Sequence, residues 1–157
     1  MHLPIDLVQD NQLPAIRSIL RSVTKLAGHI VLYDGVCHLC TGAVRFIIKR
    51  DPSGLFRFVS LQSETGKALL RQHHVSPTEV GSVMLIVNGN SHVRSDAVLL
   101  ILRQLSGGWR LLSFLRVVPR PLRDFFYRLV ARFRYQFFGK RATCLVALPG
   151  WEDRFLG

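Results

Sequence analysis

Two cysteines separated by two residues are the side chains of this sequence best suited to chemistry. Cys37 and Cys40 follow an apolar run and an Asp-Gly turn, and they begin a segment with helical periodicity. The amino end of a helix stabilises an anion such as a thiolate, the reactive form of cysteine. Cys37, nearest that end, is therefore the predicted nucleophile, and Cys40 is the thiol that resolves a mixed disulfide. A protonated His38 would favour the thiolate further.

The cysteine pair has two other interpretations. A Cys-x-x-Cys pair often supplies half of a structural zinc site, and Cys144 with one histidine could complete it. The histidines considered are His29, His73 and His74. Two reduced, inert cysteines in a core are the third interpretation, although the preceding Asp-Gly turn disfavours it. The junction of strand and helix favours a redox dithiol that needs no bound metal or cofactor.

Four further polar or flexible residues are candidates for the site. Asp34, next to Gly35, caps the helix or closes the turn, an interpretation that we favour over proton relay. Ser95 and Asp96 begin a later helix, whose amino end could bind a carboxylate of glutathione while Asp96 pairs with its ammonium group. A simple helix cap is the competing interpretation. Glutathione is therefore a candidate co-substrate.

The elements that must position the cysteines follow from periodicity and turn residues. Strands are predicted at 30–33, 55–60, 82–87 and 91–94, and helices at 37–50, 63–73, 95–105, 109–118 and 122–137. The crossover helix makes the first two strands parallel, and an Asn-Gly turn makes the last two antiparallel. The predicted fold class is α/β, a mixed four-stranded sheet flanked by helices. This order of elements resembles that of thioredoxin and glutaredoxin.

Length and composition favour one globular domain. The chain has 157 residues, of which 48% are hydrophobic and 20% charged. We divide it into an N-terminal extension (1–28), a thioredoxin-like core (29–106) and an Arg-rich helical extension (107–157) packed on the same domain. No apolar run approaches the ~20 residues of a membrane-spanning helix, and the amino terminus does not resemble a signal peptide. A cytoplasmic protein is therefore expected.

The positive charge is concentrated in one segment. The net charge is +11, and residues 103–141 contain ten basic side chains and one acidic one. The helix predicted at 122–137 has an aromatic and aliphatic face, which would pack on the core or lie on an anionic membrane. The arginines expected to hold it to the membrane are Arg123, Arg128, Arg132 and Arg134. An acidic protein is another candidate partner, and nucleic acid is not expected because no recognised motif accompanies the charge.

The segment 34–40, Asp-Gly-Val-Cys-His-Leu-Cys, resembles the D-G-x-C-x-L-C signature of the DCC family of thiol-disulfide oxidoreductases. The similarity covers about residues 30–145 and includes Ser95-Asp96-Ala97, Tyr127, Ala131, Arg134-Tyr135, Phe138-Gly139 and Cys144. This resemblance implies a thioredoxin-like fold and disulfide exchange through Cys37 and Cys40. The partners would be protein or small-molecule thiols and disulfides. The role of Cys144, as a further redox thiol or a buried small residue, is left open.

One departure from thioredoxin concerns the substrate groove. Thioredoxins place a cis-proline just before the third strand, where this sequence has Gly81, Ser82 and Val83. Ser82 and Val83 are nevertheless candidate substrate-binding residues, together with Ser95 and Asp96. The alternative to an enzyme is a peripheral membrane or protein-binding module with a zinc-binding or inactive cysteine pair.

Overall fold

A four-stranded mixed sheet forms the centre of the fold. The structure is a computed structural model that describes residues 28–140 and 149–156. The strands are β1 (His29–Tyr33), β2 (Phe56–Ser60), β3 (Val83–Val87) and β4 (Asn90–Val93), in the order β2-β1-β3-β4. β1 is parallel to β2, and β3 is antiparallel to both β1 and β4. The predicted α/β class and mixed sheet are therefore confirmed, and the fold is thioredoxin-like.

Helices connect and extend the sheet. They are α1 (His38–Arg50), α2 (Glu64–Gln72), α3 (Pro77–Val80), α4 (Arg94–Gln104), a 3₁₀ helix (Gly108–Val117), α5 (Arg120–Phe138) and a 3₁₀ turn (Glu152–Arg154). The predicted α-helices agree with α1, α2, α4 and α5 to within two residues. The sequence prediction missed α3, a single turn that a capping box between Ser76 and Glu79 stabilises. The segment predicted as a helix at 109–118 is the 3₁₀ helix.

Both faces of the sheet are buried. Side chains alternate along a strand, so Val31 and Tyr33 of β1 face α1 and α4, whereas Ile30 and Leu32 face α2. Each face belongs to its own cluster of buried apolar residues. Burial of one such aliphatic side chain contributes about 1.5–3 kcal/mol. The sheet is therefore a rigid base for the loop that follows β1 and carries the cysteines.

The described carboxyl-terminal segment closes the outer edge of β2. The backbone N–H of Leu156 donates to the carbonyl of Phe58 at 2.9 Å. Arg154 forms an ion pair with Asp51 at 2.5 Å and also donates to the carbonyl of Phe56. Residues 1–27 of the predicted N-terminal extension and the third cysteine, Cys144, lie outside the described residues.

The orientation of α5 differs from the prediction. Arg134 is its buried residue, and Arg123 and Tyr127 also make hydrogen bonds to the domain. The apolar stripe faces mainly outward instead: Leu122, Phe125, Phe126, Leu129 and Val130 are 44–57% exposed, and Phe133 is half-buried. The interpretation that this face packs on the core is therefore wrong. So is the expectation that Arg123 and Arg134 face solvent, since their side chains are 10% and 9% exposed.

Among the helices in the two described ranges, none combines the length and the hydropathy that crossing a bilayer would require.

Candidate redox site

Cys37 occupies the N-cap position of α1. Its Sγ accepts the backbone N–H of Cys40 at 3.4 Å, and its carbonyl accepts the N–H of Thr41 at 3.0 Å. Both cysteines are free thiols. An N–H donor and the positive end of the helix dipole both favour negative charge on the Cys37 sulfur. The sequence prediction placed the pair at this junction, and the structure does the same.

The exposure of the two thiols is the reverse of what the sequence suggests. Cys37, expected nearest the open helix end, is fully buried, and a backbone bridge pairs it with Lys140 after α5. Cys40 is partly accessible. Burial raises the pKa of the Cys40 thiol, and its contact with Cys37 raises it further, whereas the nearby charge of Arg134 opposes the increase. Cys40 is therefore held as a neutral thiol.

A buried ion pair lies next to the cysteine loop. Asp34 Oδ2 accepts from Arg134 Nη2 at 2.9 Å and from the hydroxyl of Tyr135. Asp34 Oδ1 accepts from Gln62 Nε2 at 2.8 Å and from the N–H of Val36 at 3.1 Å. Burial alone would raise the pKa of Asp34, but these four donors hold it below its ordinary value.

Those contacts bear on the two roles considered for Asp34. Both carboxylate oxygens are occupied, and the described residues show no hydrogen bond from Asp34 to either sulfur. Its bond to Val36 closes the turn before the cysteines, and the backbone N–H of Cys37 donates to the Asp34 carbonyl at 3.3 Å. The geometry favours the positioning role, and proton relay stays a prediction.

Gln62 fixes the same turn from the loop after β2. Its Oε1 accepts from the N–H of Gly35 at 3.0 Å and from Ser60 Oγ at 2.8 Å. Gly35 is therefore held in place by a residue outside the cysteine loop.

His38, the first residue of α1, has an exposed side chain.

Ser82 and Val83 lie close to the cysteine pair. Together with Cys40 they line one cavity, of about 450 Å³. Their backbone N–H groups both donate to the hydroxyl of Tyr127 at 3.2 Å, and Ser82 Oγ lies 2.6 Å from the same oxygen. The structure brings these two candidate residues to the site, although α5 already uses their polar groups.

Ser95 and Asp96 hold α5 in place and do not cap α4. Ser95 Oγ donates to Asp124 Oδ1 at 2.5 Å, and Asp96 forms ion pairs with Arg123, at 3.1 Å, and with Arg120. No side chain caps the amino end of α4, so the capping part of that interpretation is wrong, whereas Asp96 does lie in the first turn of the helix, where an acid is favourable. Neither residue lines the cavity beside Cys40. Recognition of glutathione by these residues stays a prediction.

The zinc interpretation depends on a residue that the structure does not describe. Within residues 28–140 and 149–156, no group of three or more His, Cys, Asp or Glu side chains could hold a metal ion. A set that includes Cys144 falls outside these ranges and stays a prediction.

Sequence reasoning did not place three residues at this site: Gln62, Arg134 and Tyr135. The family resemblance includes Arg134 and Tyr135, but gives them no role. Nothing in the sequence near Gln62 distinguishes it from an ordinary loop residue.

A Cys-x-x-Cys pair at a helix N-terminus on a thioredoxin-like sheet is typical of thiol-disulfide oxidoreductases. The chain belongs to the DCC1-like thiol-disulfide oxidoreductase family, whose model matches residues 31–140. The resemblance of the 34–40 segment to the DCC signature is thereby confirmed.

Two relatives support this assignment. The uncharacterized protein YuxK of Bacillus subtilis is 43% identical over 132 residues, which cover 84% of this chain and 96% of the relative. A chloroplastic DCC family protein of Arabidopsis thaliana is 41% identical over 116 residues, covering 73% and 67% of the two chains. No solved structure gives a significant match.

Proposed function

We propose that this protein exchanges disulfides through a dithiol in which Cys37 is the nucleophile and Cys40 the resolving thiol. Membership of the thiol-disulfide oxidoreductase family supports the class of reaction. The observation that carries the assignment of roles is the hydrogen bond from the Cys40 N–H to Cys37 Sγ at 3.4 Å. It stabilises negative charge on Cys37 alone, while burial raises the pKa of Cys40.

The reaction proceeds in two exchanges. The Cys37 thiolate attacks one sulfur of the substrate disulfide, forms a mixed disulfide, and releases a thiolate that takes up a proton. Cys40 then loses its proton and attacks Cys37 Sγ, which forms the Cys37–Cys40 disulfide and releases the second substrate thiol. The substrate gains two electrons and the protein loses two. An external thiol restores the dithiol by the reverse exchange.

Mass spectrometry of the intact protein tests this proposal. We expect a reversible loss of two hydrogens when the reduced protein is treated with a disulfide, located by peptide mapping between Cys37 and Cys40. A bound zinc mass that a chelator removes, without any oxidation, would instead support the zinc-binding alternative. A native protein that shows neither the oxidation nor the bound zinc would indicate that the two cysteines are inert.

We infer a second, compatible role in binding anionic membrane surfaces, because α5 presents its apolar stripe outward. The 3₁₀ helix adds Leu111, Phe114 and Val117, each at least 74% exposed. Arg110 and Arg116 on the 3₁₀ helix, with Arg128 and Arg132 on α5, are exposed around these apolar residues. They lie on a segment whose one acidic residue, Asp124, bonds to Ser95.

Apolar side chains surrounded by exposed cations are complementary to an anionic lipid surface. Arg123 and Arg134 are excluded from this role because they pair inside the protein. Sedimentation with vesicles of neutral and anionic lipid tests the association.

A further inference from the structure

An apolar cavity of about 450 Å³ opens beside Cys40, between α1, α4 and α5. Its walls include Leu39, Ala43, Val98 and Ala131, and almost all of its lining is apolar. Protein cavities of a few hundred Å³ with apolar walls and few polar groups are typical of small-molecule sites. This volume therefore has the size and character of a binding site for a small apolar molecule.

The cavity gives access to the cysteine pair at Cys40. Cys40 lines it, whereas Cys37 is fully buried and covered by the backbone bridge to Lys140. A disulfide on the surface of a folded protein would have to displace that segment to reach Cys37. A small molecule in the cavity lies next to Cys40 without such a displacement.

One buried donor at this cavity has no partner. Arg134 lines the cavity and is only 8% exposed, and its Nε has no hydrogen-bond partner among the described residues. Its Nη1 and Nη2 groups donate to the Gly81 carbonyl and to Asp34. The Nε–H is enclosed by protein atoms, so a molecule in the cavity does not reach it, and the polar groups of Arg134 are directed to the protein.

We propose that the cavity binds the apolar group of a small alkyl disulfide. This rests on the exchange reaction proposed above. One R–S–S–R molecule and the dithiol give two R–SH molecules and the Cys37–Cys40 disulfide, with two electrons passing to the substrate. Charged disulfides such as oxidised glutathione would have to shed water from their carboxylates against apolar walls. They are therefore poor occupants.

Kinetics on a graded series of disulfides test the substrate class. From diethyl to dibutyl disulfide, each methylene that enters the cavity should raise kcat/KM about fourfold. Bis(2-hydroxyethyl) disulfide, whose arms match those of dipropyl disulfide in length but end in a hydroxyl, should be slower than dipropyl disulfide. Equal kcat/KM values along the series would overturn the proposal.

Cavity-filling variants locate the effect. Ala131→Phe, and Ala43→Phe at an exposed position of the wall, should each reduce the kcat/KM ratio of dibutyl to hydroxyethyl disulfide at least tenfold. Gln136→Phe adds the same ring to an exposed position of α5 that does not line the cavity. This control should keep the wild-type ratio. A fall of the ratio in Gln136→Phe, or an unchanged ratio in both filled variants, would contradict the assignment.

A substrate analogue without a reducible bond separates this proposal from the exchange reaction. Dibutyl sulfide cannot be reduced, and its binding can be followed by ligand-observed NMR on wild type and the three variants. Binding by wild type and Gln136→Phe, with loss in the filled variants, supports the cavity even if no disulfide is reduced. No binding by wild type overturns the cavity proposal even if Cys37 and Cys40 exchange other disulfides.

Discussion

Asp34 and Arg134 stand 100 positions apart in the sequence and form an ion pair next to the cysteine loop, with 2.9 Å between Oδ2 and Nη2. Their side chains are only 5% and 9% exposed. The pair connects the turn before Cys37 to α5, so the helix beyond the thioredoxin-like core is part of the site. The conformation of that turn and the position of α5 should therefore depend on the same two side chains.

Loss of the Asp34 charge should destabilise the fold. Asp34→Asn keeps the size of the side chain but leaves the buried Arg134 guanidinium without its counter-ion, which costs about 3–5 kcal/mol. Urea denaturation at pH 7 measures the free energy of unfolding. Asp153→Asn removes an exposed carboxylate and should change this free energy by less than about 0.5 kcal/mol. Equal stability of the two variants would show that the ion pair contributes nothing.

The effect of Asp34→Asn should depend on pH in one direction. The pKa of Asp34 lies below its ordinary value in the folded protein. Its contribution to stability is therefore complete above the unfolded pKa of about 3.9, and it is lost as pH falls through the lower folded pKa. The difference in unfolding free energy between wild type and Asp34→Asn should be constant near neutrality and shrink below about pH 4. A difference that widens on acidification would contradict the assignment.

The two cysteines should behave differently when each is replaced. In a Cys144→Ser background, Cys37→Ser should abolish disulfide reduction because it removes the attacking thiolate. Cys40→Ser should accumulate a mixed disulfide on Cys37, since the resolving thiol is absent. Intact mass and peptide mapping identify the adduct. Full activity in Cys37→Ser, or an adduct on Cys40 in the wild type under the same conditions, would show that Cys37 is not the nucleophile.

The pH dependence of alkylation should separate the same two thiols. Because burial and Cys37 raise the pKa of Cys40, Cys40 should react with iodoacetamide more slowly than a free cysteine at pH 8. Its rate should still be rising at pH values where that of free cysteine has levelled off. Peptide mapping after timed quenching follows each thiol separately. A Cys40 rate that levels off near pH 8 would show that its thiol is not held neutral.

The sheet and the position of the cysteine pair could be predicted from local patterns. Apolar strands and the Asn-Gly turn depend on neighbouring residues, and all of them appear in the structure. The pairing of Asp34 with Arg134 could not be predicted in this way, because no local rule joins residues so distant in sequence. Gln62 was missed for the same reason.

The apolar face of α5 shows a second limit of prediction from the sequence. Helical periodicity identified the stripe correctly, but periodicity does not say whether the protein itself covers that stripe. Polar contacts decide the orientation of α5. Arg123 pairs with Asp96, and Arg134 pairs with Asp34. The hydroxyl of Tyr127 accepts hydrogen bonds from the backbone N–H groups of Ser82 and Val83. These contacts turn the polar side of α5 toward the domain and leave most of the stripe exposed, with Phe126 and Val130 at its edge lining the cavity.

Removal of the Tyr127 hydroxyl should weaken the attachment of α5. Tyr127→Phe leaves the N–H groups of Ser82 and Val83 without their acceptor, at a cost of about 1–3 kcal/mol. Thermal or urea unfolding measures the loss. The control is Phe137→Leu, which changes an exposed ring on α5 and should leave the free energy of unfolding nearly unchanged. Tyr33 is a poor control because it is buried in the core. A Tyr127→Phe variant as stable as wild type would show that water replaces the hydroxyl.

The outward face of α5 and the 3₁₀ helix should bind anionic vesicles in a salt-sensitive way. Each basic residue near an anionic leaflet contributes about 1 kcal/mol, screened over ~8 Å at physiological ionic strength. Replacement of Arg110, Arg116, Arg128 and Arg132 by Gln should therefore abolish sedimentation with anionic vesicles. The matched control replaces four exposed cations elsewhere, Arg45, Lys49, Lys67 and Arg71, and should bind almost as wild type.

The apolar stripe itself is tested by Phe125→Ser with Phe126→Ser. This pair should weaken binding to anionic vesicles without changing its salt dependence, because it removes buried apolar area and no charge. Analytical ultracentrifugation without lipid tests whether a second copy of the chain covers this face instead. A concentration-dependent dimer that the same two substitutions dissociate would show that it does.

Equal sedimentation of wild type with neutral and anionic vesicles would contradict the role of the arginines, since charge complementarity predicts binding to the anionic lipid only.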